Sequence, residues 1–73
     1  MSSQECVCIT PYGDSEWAAS HGVLIEGLVS SERLIIRLPD QEEVEDFAKQ
    51  AATNLHLPVY RVLPGQKPEL VQM

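Results

Sequence analysis

Between Pro39 and Pro58 the chain carries one strong helical signal, and it constrains everything around it. Asp40 is a good N-cap, and Glu43 stands three residues later at capping-box spacing. Val44, Phe47, Ala48, Ala51 and Leu55 recur at helical spacing and form one apolar stripe. Ala48, Ala51 and Ala52 are small enough to let a helix lie close to a sheet. Pro58 biases Leu57 away from helical geometry, so the helix is expected to end near Leu55. On either side lie strand signals, RLIIRL from Arg33 to Leu38 and VYRVL from Val59 to Leu63. A single helix set between strands points to an α+β domain.

The remaining strands come first in the chain. Glu5 to Thr10 is β-friendly, with Cys6 and Cys8 on one face and Val7 and Ile9 on the other. Pro11, Gly13 and Asp14 read as a turn that stops this strand near Pro11. Trp17 to His21 reads either as a second strand or as one helical turn capped by Asp14. Val23 to Val29 is the next strand, and Ser30, Ser31 and Glu32 read as a turn into Arg33–Leu38, giving an antiparallel hairpin. The expected order is β-β-β-α-β: an antiparallel sheet of three to five strands with one helix packed on one face. Residues 64–73 are left as an edge strand or a loose tail of this single domain, 1–73. If the strands flanking the helix are adjacent and parallel, their crossover should be right-handed.

The expected core comprises Val7, Ile9, Leu34, Ile36, Leu38, Val44, Phe47, Ala51, Leu55, Tyr60 and Val62. A slip of one residue in any strand would exchange its two faces. One helix covers one face of a sheet. Val23, Ile25, Val29 and Ile35 are therefore left needing a second cover, which a homodimer would supply.

Length sharpens this need. A chain of 73 residues buries only about 60% of the surface its unfolded form exposes. Two cysteines make at most one bridge, so no disulfide framework compensates. The longest mostly apolar run, Val23 to Val29, is interrupted by Glu26 and Gly27 and is too short to span a bilayer. The opening MSSQE has no basic patch before an apolar stretch, so no signal peptide is read and a cytoplasmic protein is expected.

The formal net charge is -6. An acidic surface repels phosphate backbones, which disfavours direct nucleic-acid binding and suits a basic protein partner. Five of the eleven acids fall between Asp40 and Asp46. On a helical wheel Glu42, Glu45 and Asp46 lie opposite the apolar stripe. Local physics accounts for their position: the helix dipole favours acids in the first turns, and Glu45 stands four residues before Lys49. The functional alternative makes Glu42, Glu45 and Asp46 a docking face for a basic protein surface, with Trp17 as an interface anchor or a core residue.

Catalytic and cofactor signals are weak throughout. Cys6, Cys8, His21 and His56 are the obvious metal ligands. Their C-x-C spacing and histidines 35 positions apart do not match the usual zinc patterns. Buried free cysteine also behaves as a small hydrophobe. There is no GxGxxG, P-loop or HExxH, and no nucleophile, base and orienting group can be assembled. The expectation is a non-enzymatic protein-binding module without metal or cofactor. The alternatives are a small structural or regulatory homodimer using an exposed sheet face, and a nucleic-acid-binding domain using Arg33, Arg37 and Arg61.

Val7, Pro11, Gly13, Asp14 and Trp17 form a V-x-x-x-P-x-G-D pattern followed by Trp. An acid-led, Ala-rich helix, a short strand and a polar turn follow. In this order the chain resembles small uncharacterised bacterial and phage domains with three strands, a helix and a closing strand. Several compact phage inhibitors of bacterial defence share that architecture. The resemblance implies an inhibitor or adaptor and transfers no catalytic or binding residue. The long run VLIEGLVSSERLIIRL departs from the compact pattern.

Overall fold

The structure, a computed structural model, describes residues 3–71. The opening Met1–Ser2 and the closing Gln72–Met73, included in the signal-peptide and tail expectations, lie outside the described residues. The elements are β1 (Gln4–Tyr12), β2 (Glu16–Ile25), β3 (Leu28–Leu38), α1 (Gln41–Leu55), β4 (Val59–Arg61) and β5 (Glu69–Val71). They form one five-stranded sheet in the order β3-β2-β1-β4-β5, with the helix packed on it. The class is α+β in the expected order, but the sheet is mixed rather than purely antiparallel. β1 and β4 pair in parallel, Val7 beside Val59 and Ile9 beside Arg61. The connectivity dictates this. Two hairpins make β3 parallel to β1, and a strand returning through one helix keeps the direction of the strand before it. β2 and β1 separate β3 from β4, so the strands flanking the helix are parallel without being neighbours.

Several boundaries move for local reasons. β1 runs on through Pro11 to Tyr12. Val7 N–H donates to Pro58 O, and Val62 N–H donates to Ile9 O. Pro11, of the same parity, therefore points its nitrogen past the end of β4, where no ladder bond is lost. The ambiguous Trp17–His21 segment is strand, inside β2. The turn expected at Ser30–Glu32 falls instead at Glu26 and Gly27, both with positive φ (52° and 80°), between the paired Ile25 and Leu28. Two left-handed residues match the twist of a two-residue hairpin. Ser30–Glu32 lie within β3.

β3 is doubly irregular. Ala19 pairs with Ile36 but Ser20 with Leu34, and His21 pairs with Arg33 but Gly22 with Ser31. Ile35 and Glu32 are the extra residues, and such bulges bend a strand. The bend carries β3 over the face away from the helix. Ser31 Oγ comes to 3.3 Å from Cys8 Sγ, two strands away. Gly22 lies beneath, where a Cβ would stand 2.7 Å from the Ser30 carbonyl oxygen. Cys6, Cys8, Ala18 and Ser20 are buried although no helix covers them.

The helix begins as its sequence dictates: Asp40 Oδ1 accepts from Glu42 N–H at 2.9 Å. It ends with His56 in the left-handed region (φ 58°) and Leu57 N–H donating to Ala52 O, a Schellman closure with histidine where glycine is usual. Its inward face is Val44, Ala48 and Ala52, packed with Val7, Ile9, Ala19, Val59 and Val71; Trp17, Ile36, Leu38 and Leu57 pack at the margin. This corrects the expected core. Phe47, Leu55 and Leu34 are exposed, and Ala51 is half-buried. Small side chains let the helix approach the sheet, so the alanine row turns inward and the large residues swing to the flank. β4 is also inverted: Val59 is fully buried, while Tyr60 and Val62 are half-buried. Its parallel register places Val59 beside Val7, which commits Val59 to the helix side.

Candidate functional site

An apolar cleft on the surface follows from that roll of the helix. Phe47, Ala51 and Leu55 form one wall of a cleft of about 550 Å³, and Arg33, Leu34, Ile35 and His21 form the other. Alternation along a regular strand would place Arg33 and Ile35 on one face and send Leu34 to the other. The bulge at Ile35 breaks the alternation, so three consecutive β3 residues line one cleft. Leu34, Ile35, Phe47 and Leu55 remain 49%, 36%, 38% and 54% exposed. Clustered exposed apolar residues on a small domain mark interaction surfaces. A second hollow of about 440 Å³ lies against Lys49, Gln50, Thr53 and Asn54. A single helix bounds it, so it encloses nothing.

The acidic residues divide into two groups. Glu42 and Asp46 are exposed on the outer side of α1; Glu43 is also exposed, on the flank one turn before Phe47. Glu45 is turned towards β4 and accepts from Arg61 Nη2, in place of the expected Lys49 pairing. Arg61 Nη1 also lies 3.9 Å from Glu69. Glu45 thus ties α1 to β4. Trp17 is half-buried and packs against the core. Of the four residues proposed for docking, Glu42 and Asp46 are left on the open surface.

The three arginines do not converge. Arg33 lines the cleft, Arg37 sits 4.8 Å above the Tyr12 ring, and Arg61 is engaged by carboxylates. His21 Nε2 is 3.4 Å from Glu5 Oε1. Burial, with the neighbouring Cys8 thiol, pushes the Cys6 thiol up to about 11; burial also raises Cys8, partly offset by Ser31. Both remain neutral thiols at ordinary pH, which makes them poor nucleophiles and ligands. Among the described residues, no three His, Cys, Asp or Glu side chains come together to hold a metal ion. No described helix is long and apolar enough to cross a membrane.

Comparison with protein families, curated proteins and solved structures gave no match for this chain. The resemblance to phage-type domains therefore rests on the Val7–Trp17 pattern and the element order alone.

The Ile35 bulge and the helix roll gave no sequence signal that the apolar stripe could reveal. Sequence periodicity did identify Phe47, Ala51 and Leu55 as one stripe. The contact with the sheet is made instead by Val44, Ala48 and Ala52, two of them too small to stand out in a hydrophobic pattern.

Proposed function

We propose that this chain is a non-enzymatic protein-binding domain whose contact surface is the α1–β3 cleft, with the acidic start of α1 at one end. One observation carries the reading: four large apolar side chains, from two elements, stay exposed around a single cleft. Burying such residues against a partner is the favourable term in most protein association. The acidic surface of α1 adds selectivity for a partner with basic residues beside an apolar anchor. An inhibitor or adaptor of the phage type is the form of action this reading favours.

The test is affinity capture with the tagged full chain, comparing wild type with Phe47→Lys, Glu42→Lys/Asp46→Lys and Leu28→Ser. The last lies at the hairpin tip, away from the cleft. A partner lost with Phe47→Lys and kept with Leu28→Ser supports the cleft. Retention by Phe47→Lys together with loss by Glu42→Lys/Asp46→Lys would move the function to the acidic face.

A further inference from the structure

We propose that the occupant of the cleft is a second copy of this chain, docked antiparallel about a two-fold axis near Ala51. The inference rests on the reading of the cleft as a protein-binding surface, and it names the partner. Three features support it.

The first is the helix stripe. Phe47, Ala51 and Leu55 are spaced four residues apart, large-small-large, and are therefore symmetric about Ala51. An antiparallel copy sets Phe47 against the partner's Leu55 and leaves the two Ala51 side chains facing at the axis. Close approach is easiest where the side chains are smallest.

The second is charge. Only Pro39 and Asp40 join β3 to α1, so strand and helix run in opposite directions along the cleft. Glu43 is one helical turn before Phe47 and so continues its stripe past one end of the cleft; Arg33 lines the cleft itself, and the antiparallel run of strand and helix places it towards the Leu55 end. Among the described residues, no carboxylate lies within ion-pair distance of Arg33, and no cation lies within that distance of Glu43. A two-fold axis between them brings each Arg33 to the partner's Glu43, and the pairing occurs twice. A surface patch that carries opposite charges at its two ends is self-complementary under this symmetry.

The third is size. A standard interface takes about 800 Å² from each partner, which is about one sixth of the 4970 Å² this chain exposes. With eight exposed large hydrophobic side chains among the described residues, four of them on the cleft, a small domain has that surface to give.

Sedimentation equilibrium of the full chain, from low micromolar to millimolar concentration, tests the proposal. Wild type is expected to move from 8.1 kDa to twice that mass. Arg33→Glu and Glu43→Arg, each checked for native circular dichroism, are each expected to weaken the dimer at least tenfold, because every change enters the interface twice. The double variant Arg33→Glu/Glu43→Arg should return to within a few-fold of wild type. A wild type that stays at 8.1 kDa throughout overturns the proposal. So does a dimer indifferent to Arg33→Glu, or a double variant that fails to recover. If wild type is monomeric yet Phe47→Lys abolishes capture of another protein, the cleft reading stands and the second copy falls. If Phe47→Lys changes neither mass nor capture, both fall.

Discussion

Truncating Glu45 to alanine would leave the Arg61 guanidinium without its main partner. The side chains of Arg61 and Glu45 are only 27% and 18% exposed, and Arg61 Nε is already buried without a hydrogen bond. The remaining carboxylate, Glu69, is 3.9 Å away and 68% exposed, so water screens much of its attraction. A hydrogen bond to a charged group contributes about 1.5–3 kcal/mol. Glu45→Ala should therefore cost about 2 kcal/mol, which in a domain this small lowers the melting temperature by roughly 8–16 °C. Arg61→Met in the Glu45→Ala background should recover most of that loss, because it removes the stranded charge and the orphaned Nε together. The assay is urea unfolding of wild type, both single variants and the double variant, read as a double-mutant cycle. A Glu45→Ala variant within about 0.5 kcal/mol of wild type would refute the reasoning and return Glu45 to the solvated face of the helix.

Three further perturbations have defined signs. Gly22→Ala places a Cβ 2.7 Å from the Ser30 carbonyl and 3.3 Å from Cys8 Sγ; it should cost about 1–3 kcal/mol in chemical denaturation, and a neutral result would mean β3 does not close over that face. His56→Gly relieves a left-handed residue at the end of α1; the strain relieved exceeds the chain entropy lost, so a melting temperature higher by a few degrees is expected, and a fall would contradict the cap. The Cys6 thiol ionises at about 11 in the fold against an ordinary 9.0, so stability is full below pH 9 and is lost as pH rises from 9 towards 11. Thermal melts across that window should decline less in Cys6→Ala, and parallel curves would remove the buried-thiol account.

Local signals recovered what local physics determines. Asp40 caps the helix, Arg33–Leu38 is a strand, and Val7 and Ile9 face inward because capping and alternation need only near neighbours. The Glu26–Gly27 turn was obscured because Ser30–Ser31–Glu32 is the more polar stretch, whereas the backbone needed two positive-φ residues. The helix roll was missed because Phe47 and Leu55 dominate a wheel weighted by hydrophobicity, while contact with a sheet rewards Ala48 and Ala52. β4 has three residues, too few to show alternation, so only its pairing with β1 decides its faces. The Glu45–Arg61 bond spans 16 residues and depends on that same pairing. The cleft was illegible for a related reason: it exists only because Ile35 is extra to the β3 ladder.

The two bulges also bear on growth. β3 lies at the rim of the sheet, where a continuous row of backbone donors and acceptors would invite another strand to add on. Ile35 and Glu32 interrupt that row at two places, leaving no long regular stretch for an incoming chain to match. At the opposite rim, β5 runs over Glu69–Val71 among the described residues, directly after Pro68. Interrupted in β3 and short in β5, these borders are poor templates for the stacking of sheets that leads to fibres. If two copies meet at the α1–β3 cleft as proposed, their contact is one of side chains and leaves the sheet borders out of it.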